Sequence, residues 1–394
     1  MHAGQSGGIA NGVLGRIMRR LLQLRTPEEP EGEQPLHAGL SGRASDSRGE
    51  RAAPGVRFRD PQIEMAHGAG GSASRRLIEG LFAPMLFGPR CEPLSDAARV
   101  TIDGAHLALT TDAFVVTPLT FPGGSIGELA VNGTVNDLAV SGARAEAMVV
   151  TFVLEAGLPT SILQAEIQAM ADAARKAGVR IAGGDTKVVE HGKADGMYIT
   201  TTAVGSFLPG VEIDPKSVRP GDKILLSGWI GDHGVTILLA RGDLALESDI
   251  RSDTRSVFPF VEAVALAAAP GIRWMRDPTR GGVATALNEL ARDCGLGVVV
   301  SEDLIPVRDA VRGACELLGL DPLHIANEGQ FLAVVAPEFA DAAVEALRKV
   351  PGGEEARIVG DVRERPAGSV LVANSYGGSR IVDMLVGDPL PRIC

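Results

Sequence analysis

The chain has 394 residues, of which 45% are hydrophobic but only 4% aromatic, and a formal net charge of −11. That length points to two domains with aliphatic cores, and the acidic balance excludes a general nucleic-acid binder, which needs a basic face. No apolar run reaches the length of a membrane span, and four scattered cysteines without a CxxC pair fit a reducing, cytoplasmic setting better than a zinc site.

Residues 1–60 are rich in Gly, Arg, Ser, Pro and Glu and read as a disordered or mis-assigned extension. Residues 13–24 are their one candidate basic amphipathic helix. Order begins near Ile63. His67-Gly68-Ala69-Gly70-Gly71-Ser72 is a Gly-rich loop before a helical pattern at 74–87. It is either a flexible turn with Ser72 or Ser74 as cap, or a lid whose backbone N–H groups close on phosphate oxygens. Strand patterns at 99–103 and 106–111 meet at a turn, Asp103-Gly104. Residues 126–140 have helical spacing and carry Asn136-Asp137. A buried strand is expected at 147–154, a helix at 161–177 ended by Gly178, and a strand at 179–182. That strand leads into Gly183-Gly184-Asp185-Thr186-Lys187, and another strand follows at 198–207. Asp112, Asp137 and Asp185 would each ordinarily be a turn or cap residue. Three carboxylates on separate elements beside Gly-rich loops are the arrangement expected for Mg2+ and ATP, since magnesium takes few protein carboxylates and keeps phosphate and water as its other ligands.

The second half alternates strands (222–227, 298–301, 331–336, 356–362) with helices (234–240, 258–268, 283–293, 310–318, 338–349). Arg280-Gly281-Gly282 stands just before one helix, either as an anion-binding start or as a structural loop with a salt bridge. Ala326-Asn327-Glu328-Gly329 marks a tight turn. The chain ends Pro391-Arg392-Ile393-Cys394. A thiol on a short proline-stiffened arm is either a frayed end or a carrier that takes a bound group into an active site and then delivers it.

From about Ile63 onward these motifs resemble the HypE family of hydrogenase maturation proteins. Its superfamily includes aminoimidazole ribonucleotide synthetase and selenophosphate synthetase. The resemblance rests on the His67–Gly71 loop, Thr111-Asp112, Phe121-Pro122-Gly123-Gly124, Asn136-Asp137, Gly184-Asp185-Thr186-Lys187, Gly231-Asp232-His233-Gly234, Asp277 with Thr279-Arg280-Gly281-Gly282, Ala326-Asn327-Glu328-Gly329 and the Pro391–Cys394 tail. The Gly-rich loop and the carboxylates are common to the superfamily, whereas the tail is specific to HypE. Residues 1–60 fall outside the match, and Ala69 stands where Ser is common.

The resemblance implies a mixed α/β, two-domain fold. An N-terminal ATP-binding domain (61–211) would dimerise through its sheet, followed by a C-terminal α/β sandwich domain (212–386) and a mobile tail (387–394). It implies an ATP-dependent dehydratase that converts an S-carbamoyl group on Cys394 into S-cyanato cysteine, the source of cyanide ligands for [NiFe] hydrogenase. The carbamoyltransferase HypF would load Cys394, the HypC–HypD iron scaffold would receive the cyano group, and the chain would be a homodimer. Asp112, Asp137 and Asp185 would hold Mg2+. ATP would meet His67, Gly68, Gly70, Gly71, Asn136, Thr186, Arg280 and Gly281. Glu328 would take protons from the carboxamide nitrogen, and Lys187 would neutralise the transferring phosphoryl group or serve as the base itself. The alternatives are a selenophosphate synthetase-like enzyme acting on a free small molecule, which the lack of Cys between Ile63 and Gly80 disfavours, and a non-catalytic scaffold with a docking tail.

Overall fold

In a computed structural model of the protein the described residues are 57–87, 95–242, 248–387, 390 and 392–394. The predicted helix at 13–24 and nearly all of the 1–60 extension lie outside them.

The N-terminal half begins with helix α1 (Ser72–Leu77), which runs on through a π-helical turn to Leu86. Strands β1 (Ala98–Ile102) and β2 (Ala105–Phe114) follow. Asp103 and Gly104 between them take the positive φ angles, 49° and 82°, that a two-residue hairpin turn requires. A small hairpin of β3 (Thr120–Phe121) and β4 (Gly124–Ser125) leads into helix α2 (Ile126–Val140). Then come β5 (Ala143–Glu155), helix α3 (Thr160–Ala177), β6 (Arg180–Val189) and β7 (Met197–Phe207). The sheet order is β1-β2-β7-β5-β6. Residues alternate in burial along β7, so one face of the sheet meets the core. Helix α2 covers that face and is buried on nearly every side. A Cβ on Gly127 would meet the Glu166 carbonyl at 2.1 Å, so glycine there lets α2 and α3 close on each other.

The C-terminal half contributes β8 (Lys223–Leu226), α4 (Asp232–Ala240), α5 (Phe258–Ala268), β9 (Ile272–Arg276), α6 (Gly282–Cys294), β10 (Gly297–Ser301), α7 (Asp309–Leu318), β11 (Leu332–Val335), α8 (Pro337–Lys349), β12 (Arg357–Arg363), β13 (Val370–Ala373) and β14 (Ser379–Val382). Its sheet runs β14-β13-β10-β12-β8-β11-β9, with β10 and β13 parallel and the other pairs antiparallel. Strand β11 is apolar throughout, and β8 is so after Lys223, because both of their faces are covered. Among the described residues no helix is long and apolar enough to cross a membrane.

The architecture is the expected mixed α/β one, but three local readings change. Residues 183–187 are not a loop, because β6 continues through them to Val189, parallel to β5 with Thr151 opposite Asp185. Gly184 serves close packing there, since a Cβ would meet the Val150 carbonyl at 2.0 Å. Strand β9 and the β13–β14 hairpin also went unread: they are short and lack a clear alternation, so only their sheet neighbours define them.

One side chain pins the two halves together. Asn136, on α2, donates from Nδ2 to the carbonyls of Arg255 (3.0 Å) and Glu328 (3.1 Å) and accepts from the Val257 amide (2.7 Å). It is 1% exposed. Asn136→Ala would leave three backbone groups without this partner, and an unpaired buried group costs about 1–3 kcal/mol. Thermal or urea unfolding of that variant is therefore expected to show a loss on the order of 3 kcal/mol.

Candidate active site

A cluster of carboxylates forms where the halves meet. Asp96 precedes β1, Asp112 lies on β2, Asp137 on α2 and Asp277 just after β9. Asp96, Asp137 and Asp277 each offer an oxygen within 4.8 Å of the others, close enough to share one metal ion. Thr110 Oγ1 lies 2.9 Å from Asp137 Oδ2, and Arg276 bridges Asp96 (3.0 Å) and Glu289 (3.1 Å). These carboxyls sit far from their ordinary titration range. Burial, then the neighbouring Asp96 charge, raises Asp277 to about 8. Burial raises Asp96 to about 6 against the pull of Arg276. Asp137 is raised by burial and by Asp277, Asp96 and Asp112.

Glu328 completes the acidic group from the C-terminal half. It is 3% exposed, and its Oε1 has no hydrogen-bond partner among the described residues. Its backbone is held rigidly, since its amide donates to Asp253 Oδ1 at 3.0 Å and its carbonyl accepts from Asn136. Burial raises its pKa first, then the charges of Asp277, Asp112 and Asp253, while Arg280 opposes them. A buried carboxylate with an orphan oxygen and a raised pKa is suited to proton transfer.

Arg280 is the cation that these groups share. The negative charge at Cys394 acts on it most strongly, followed after burial by Asp112, Glu328 and Asp137, and together they raise its pKa. Its Nη1 donates to the Gly68 carbonyl at 3.1 Å. Gly70, at φ 79°, packs on it so closely that a Cβ would meet the Arg280 Cβ at 2.6 Å. Beside this contact lies a cavity of about 330 Å³ whose wall includes Gly70, Gly71, Arg75, Asp277, Arg280 and Arg292.

The chain's end closes the site. Leu385 and Val386 accept from the Ser72 and Ala73 amides, which anchors the stem of the tail at the start of α1. The tip lies against residues 115–117, where Val115 donates to the Cys394 carbonyl (3.0 Å) and Thr117 to that of Arg392 (3.3 Å). Cys394 is 8% exposed. The tail expected to be mobile is thus seated in the protein's interior, and it places its terminus next to Arg280.

Asp112, Asp137, Arg280, Glu328 and Cys394 therefore converge, while several other expected site residues do not. Asp185, Thr186 and Lys187 lie exposed on β6, where Lys187 Nζ pairs with Asp185 at 2.7 Å. Asp112 faces Thr201, Thr201 faces Val150, and the next residue of β5, Thr151, faces Asp185. Three strand spacings, about 14 Å, separate Asp185 from Asp112, so one subunit cannot place both on one ion. Asn136 is fully engaged with backbone. His67 accepts from the Glu64 amide (2.8 Å) and pairs with Asp60 (2.7 Å), so it shapes its own turn. The Gly70 amide donates to Ser74 Oγ, and Gly71 packs under Leu385. Gly68 offers its carbonyl to Arg280. Gly281, at φ 75°, begins α6 and packs on Thr285. Asp96 and Asp277 were missed as members of the cluster. Asp277 had a signal, as it stands in the motif with Thr279-Arg280-Gly281-Gly282, but Asp96 lies in no motif.

Both halves match family models, residues 94–207 the N-terminal domain and residues 219–373 the C-terminal domain of AIR synthase related proteins. The carbamoyl dehydratase HypE of Azotobacter vinelandii is 50% identical over 337 residues, covering 86% of this chain and 98% of its own. The chain belongs to the HypE family. A crystal structure of a HypE in complex with ATP has a TM-score of 0.71 at 44% identity and covers 84% of this chain and all of its own. A HypE–HypF complex gives 0.74 at 40% identity, covering 78% of this chain and 99% of its own. As expected of HypE, the match extends over nearly the whole length of these relatives.

The acidic cluster predicts an unusual stability profile. A carboxyl whose folded pKa is raised favours the folded state while protonated. That stability is full below the unfolded value of 3.8 and is lost as pH rises through the folded values, about 6 and about 8. Metal-free protein should therefore lose stability between pH 5 and 8. A divalent cation at about 100 times its Kd should restore about 2.7 kcal/mol. Asp277→Asn should flatten the profile and abolish the cation effect, both readable by thermal unfolding.

Proposed function

We propose that the protein is an ATP-dependent carbamoyl dehydratase whose substrate is a carbamoyl group on its own Cys394. The observation that carries this reading is the burial of that terminal residue at the junction, where its charge acts on Arg280, the guanidinium on which Glu328 also acts. The ATP-bound HypE supports nucleotide use, and the dehydratase relatives support the reaction.

The carbamoyl oxygen is a poor leaving group. It attacks the γ-phosphoryl of ATP, ADP leaves, and the oxygen departs as phosphate, while the nitrogen gives up both of its protons as the C≡N bond closes. Sulfur stays bonded to carbon throughout, so the product is S-cyanato cysteine. Glu328 accepts the nitrogen protons, and its raised pKa makes it the stronger base for that task. Arg280 stabilises charge on the phosphoryl oxygens, and the Gly68–Gly71 segment shields the site above it. Asp96, Asp137 and Asp277, with Asp112 adjacent, suit Mg2+, because a dication offsets the burial and mutual repulsion that raise the pKa values of these acids. When bound it would neutralise polyphosphate charge.

Two partners follow from the tail. At 8% exposure the seated Cys394 cannot be loaded by another protein, so the tail must leave the site, with Gly387 as hinge, to meet the carbamoyltransferase HypF. It leaves again to deliver the cyano group to the HypC–HypD scaffold. The structure of a HypE–HypF complex supports the first encounter. A third partner is a second copy of the chain. Strand β6 is a ten-residue, exposed edge with Ile181 and Val188 open to solvent, a template for pairing. A homodimer along the N-terminal sheets would bring Asp185, Thr186 and Lys187 to the partner's site, which one subunit alone does not achieve.

Cys394→Ala is expected to bind ATP normally and form no cyanated product, measured by intact mass after incubation with carbamoyl donor and ATP. Glu328→Gln should accept the carbamoyl group and stall there; wild-type cyanation in that variant would remove it as base. If Lys187 acts across the dimer, mixing inactive Lys187→Ala and Glu328→Gln subunits should restore about a quarter of wild-type activity, the statistical share of intact sites. No recovery would place Lys187 outside the partner's site.

A further inference from the structure

The seated tail is held from two sides. Thr117 and Val115 donate to the carbonyls of Arg392 and Cys394, as in strand addition. The carbonyl between them, that of Ile393, points the other way, into the protein. Ile393 is 1% exposed, so its carbonyl needs a buried donor. His233 Nε2 lies 2.7 Å from it.

The ring's state follows from its neighbours. His233 is fully buried, and desolvation holds its pKa down to about 4, so near neutral pH it carries a single N–H. A carbonyl can only accept, which puts that hydrogen on Nε2. Nδ1 must then accept, and the Ser252 hydroxyl donates to it at 2.8 Å while accepting from the Thr254 amide at 3.1 Å. Phe121 meets the ring edge-on, with centroids 5.6 Å apart, and fixes its plane. The outer side of the tail is latched separately: Arg392 reaches Thr117 Oγ1 (2.7 Å) and Asp195, and Arg241 donates to the Arg392 carbonyl at 2.8 Å.

We propose that His233, its tautomer set by the Ile393 carbonyl and its ring oriented by Ser252, is a positioning residue that seats the reacting terminus through that carbonyl and so holds the next residue, Cys394, where its charge acts on Arg280. The seating itself stands on geometry, and its kinetic consequence rests on the dehydratase reading. The Arg392 contacts select a basic residue two places before the thiol. His233 instead recognises backbone, so it governs the tail's position rather than its sequence.

Docking can be measured without any turnover. In the full-length protein, alkylation of Cys394 by iodoacetamide, followed by peptide mass, reports how often the tail leaves the site. Buried Cys315 serves as an internal reporter of global unfolding. His233→Leu leaves the Ile393 carbonyl unpaired and should speed Cys394 alkylation about tenfold with Cys315 unchanged. His233→Gln keeps an N–H near the Nε2 position and should return the rate to within about twofold of wild type. Equal Cys394 rates in wild type and the leucine variant, or a glutamine variant as fast as the leucine one, would overturn the proposal. Should the leucine variant unfold, exposing Cys315 as well, Ser252→Ala decides: a selective rise at Cys394 supports seating by a Ser252-oriented ring and no rise refutes it. In single-turnover assays of carbamoylated protein, His233→Leu should slow dehydration by a similar factor at unchanged ATP affinity. Failure of even the wild-type chain to dehydrate, with the alkylation contrast intact, would refute the dehydratase reading and leave the seating in place.

Discussion

The structure is organised around a concentration of negative charge that the fold does not neutralise. Asp96, Asp112, Asp137, Asp277 and Glu328 come from both halves of the chain and gather at their junction, and Arg276 and Arg280 are the cations that act on them. Like charges in a poorly solvated space repel, and the proteins that keep such clusters do so where a cation, a polyphosphate or a moving proton belongs. The rest of the architecture holds this group in place. Asn136 bolts α2 to the loops beneath it, Asp253 clamps the amides of Glu328 and Gly329, and Gly70 brings the Gly-rich segment down onto Arg280.

Into this site the chain feeds its own end. Effective concentration explains the economy of that arrangement: a reactant on a short tether meets its site far more often than a free molecule would. The tether brings a conflict, because a thiol buried well enough to react in a dry site is hidden from the proteins that load and unload it. Weak seating resolves it. The tip is held by backbone hydrogen bonds, His233, Arg241, the Arg392 contacts to Thr117 and Asp195 and the burial of Leu390 and Ile393, and each polar contact can be exchanged for one with water on release.

The Gly-rich loop shows how one residue pattern serves more than one purpose. Several of its backbone groups bond within the protein: Gly70 to Ser74, and Ser72 and Ala73 to the tail stem. In the tail-seated state the loop therefore joins α1 to the tail and lies against Arg280. A loop that closed on phosphate would have to exchange some of those bonds, and its arrangement would then depend on the position of the tail.

The sequence alone determined much of this protein. The helix over Ile126–Val140, the hairpin turn at Asp103-Gly104 and the helix stop at Gly178 follow from local periodicity and backbone preference. The terminal Pro-Arg-Ile-Cys motif disclosed the family, because a functional tail carries its signal in contiguous residues. Only the tertiary structure decided which acids meet. Asp96 and Asp277 join Asp137 through contacts between residues far apart in the chain, which no local pattern encodes. Asp185 looked equivalent to Asp112 and Asp137 in the sequence, yet it fell with Lys187 on an exposed edge strand, because sheet order rather than sequence spacing sets the distance between strands. Asn136 read as a ligand and proved to be a rivet for the same reason: an amide's role depends on which buried backbone groups fold around it.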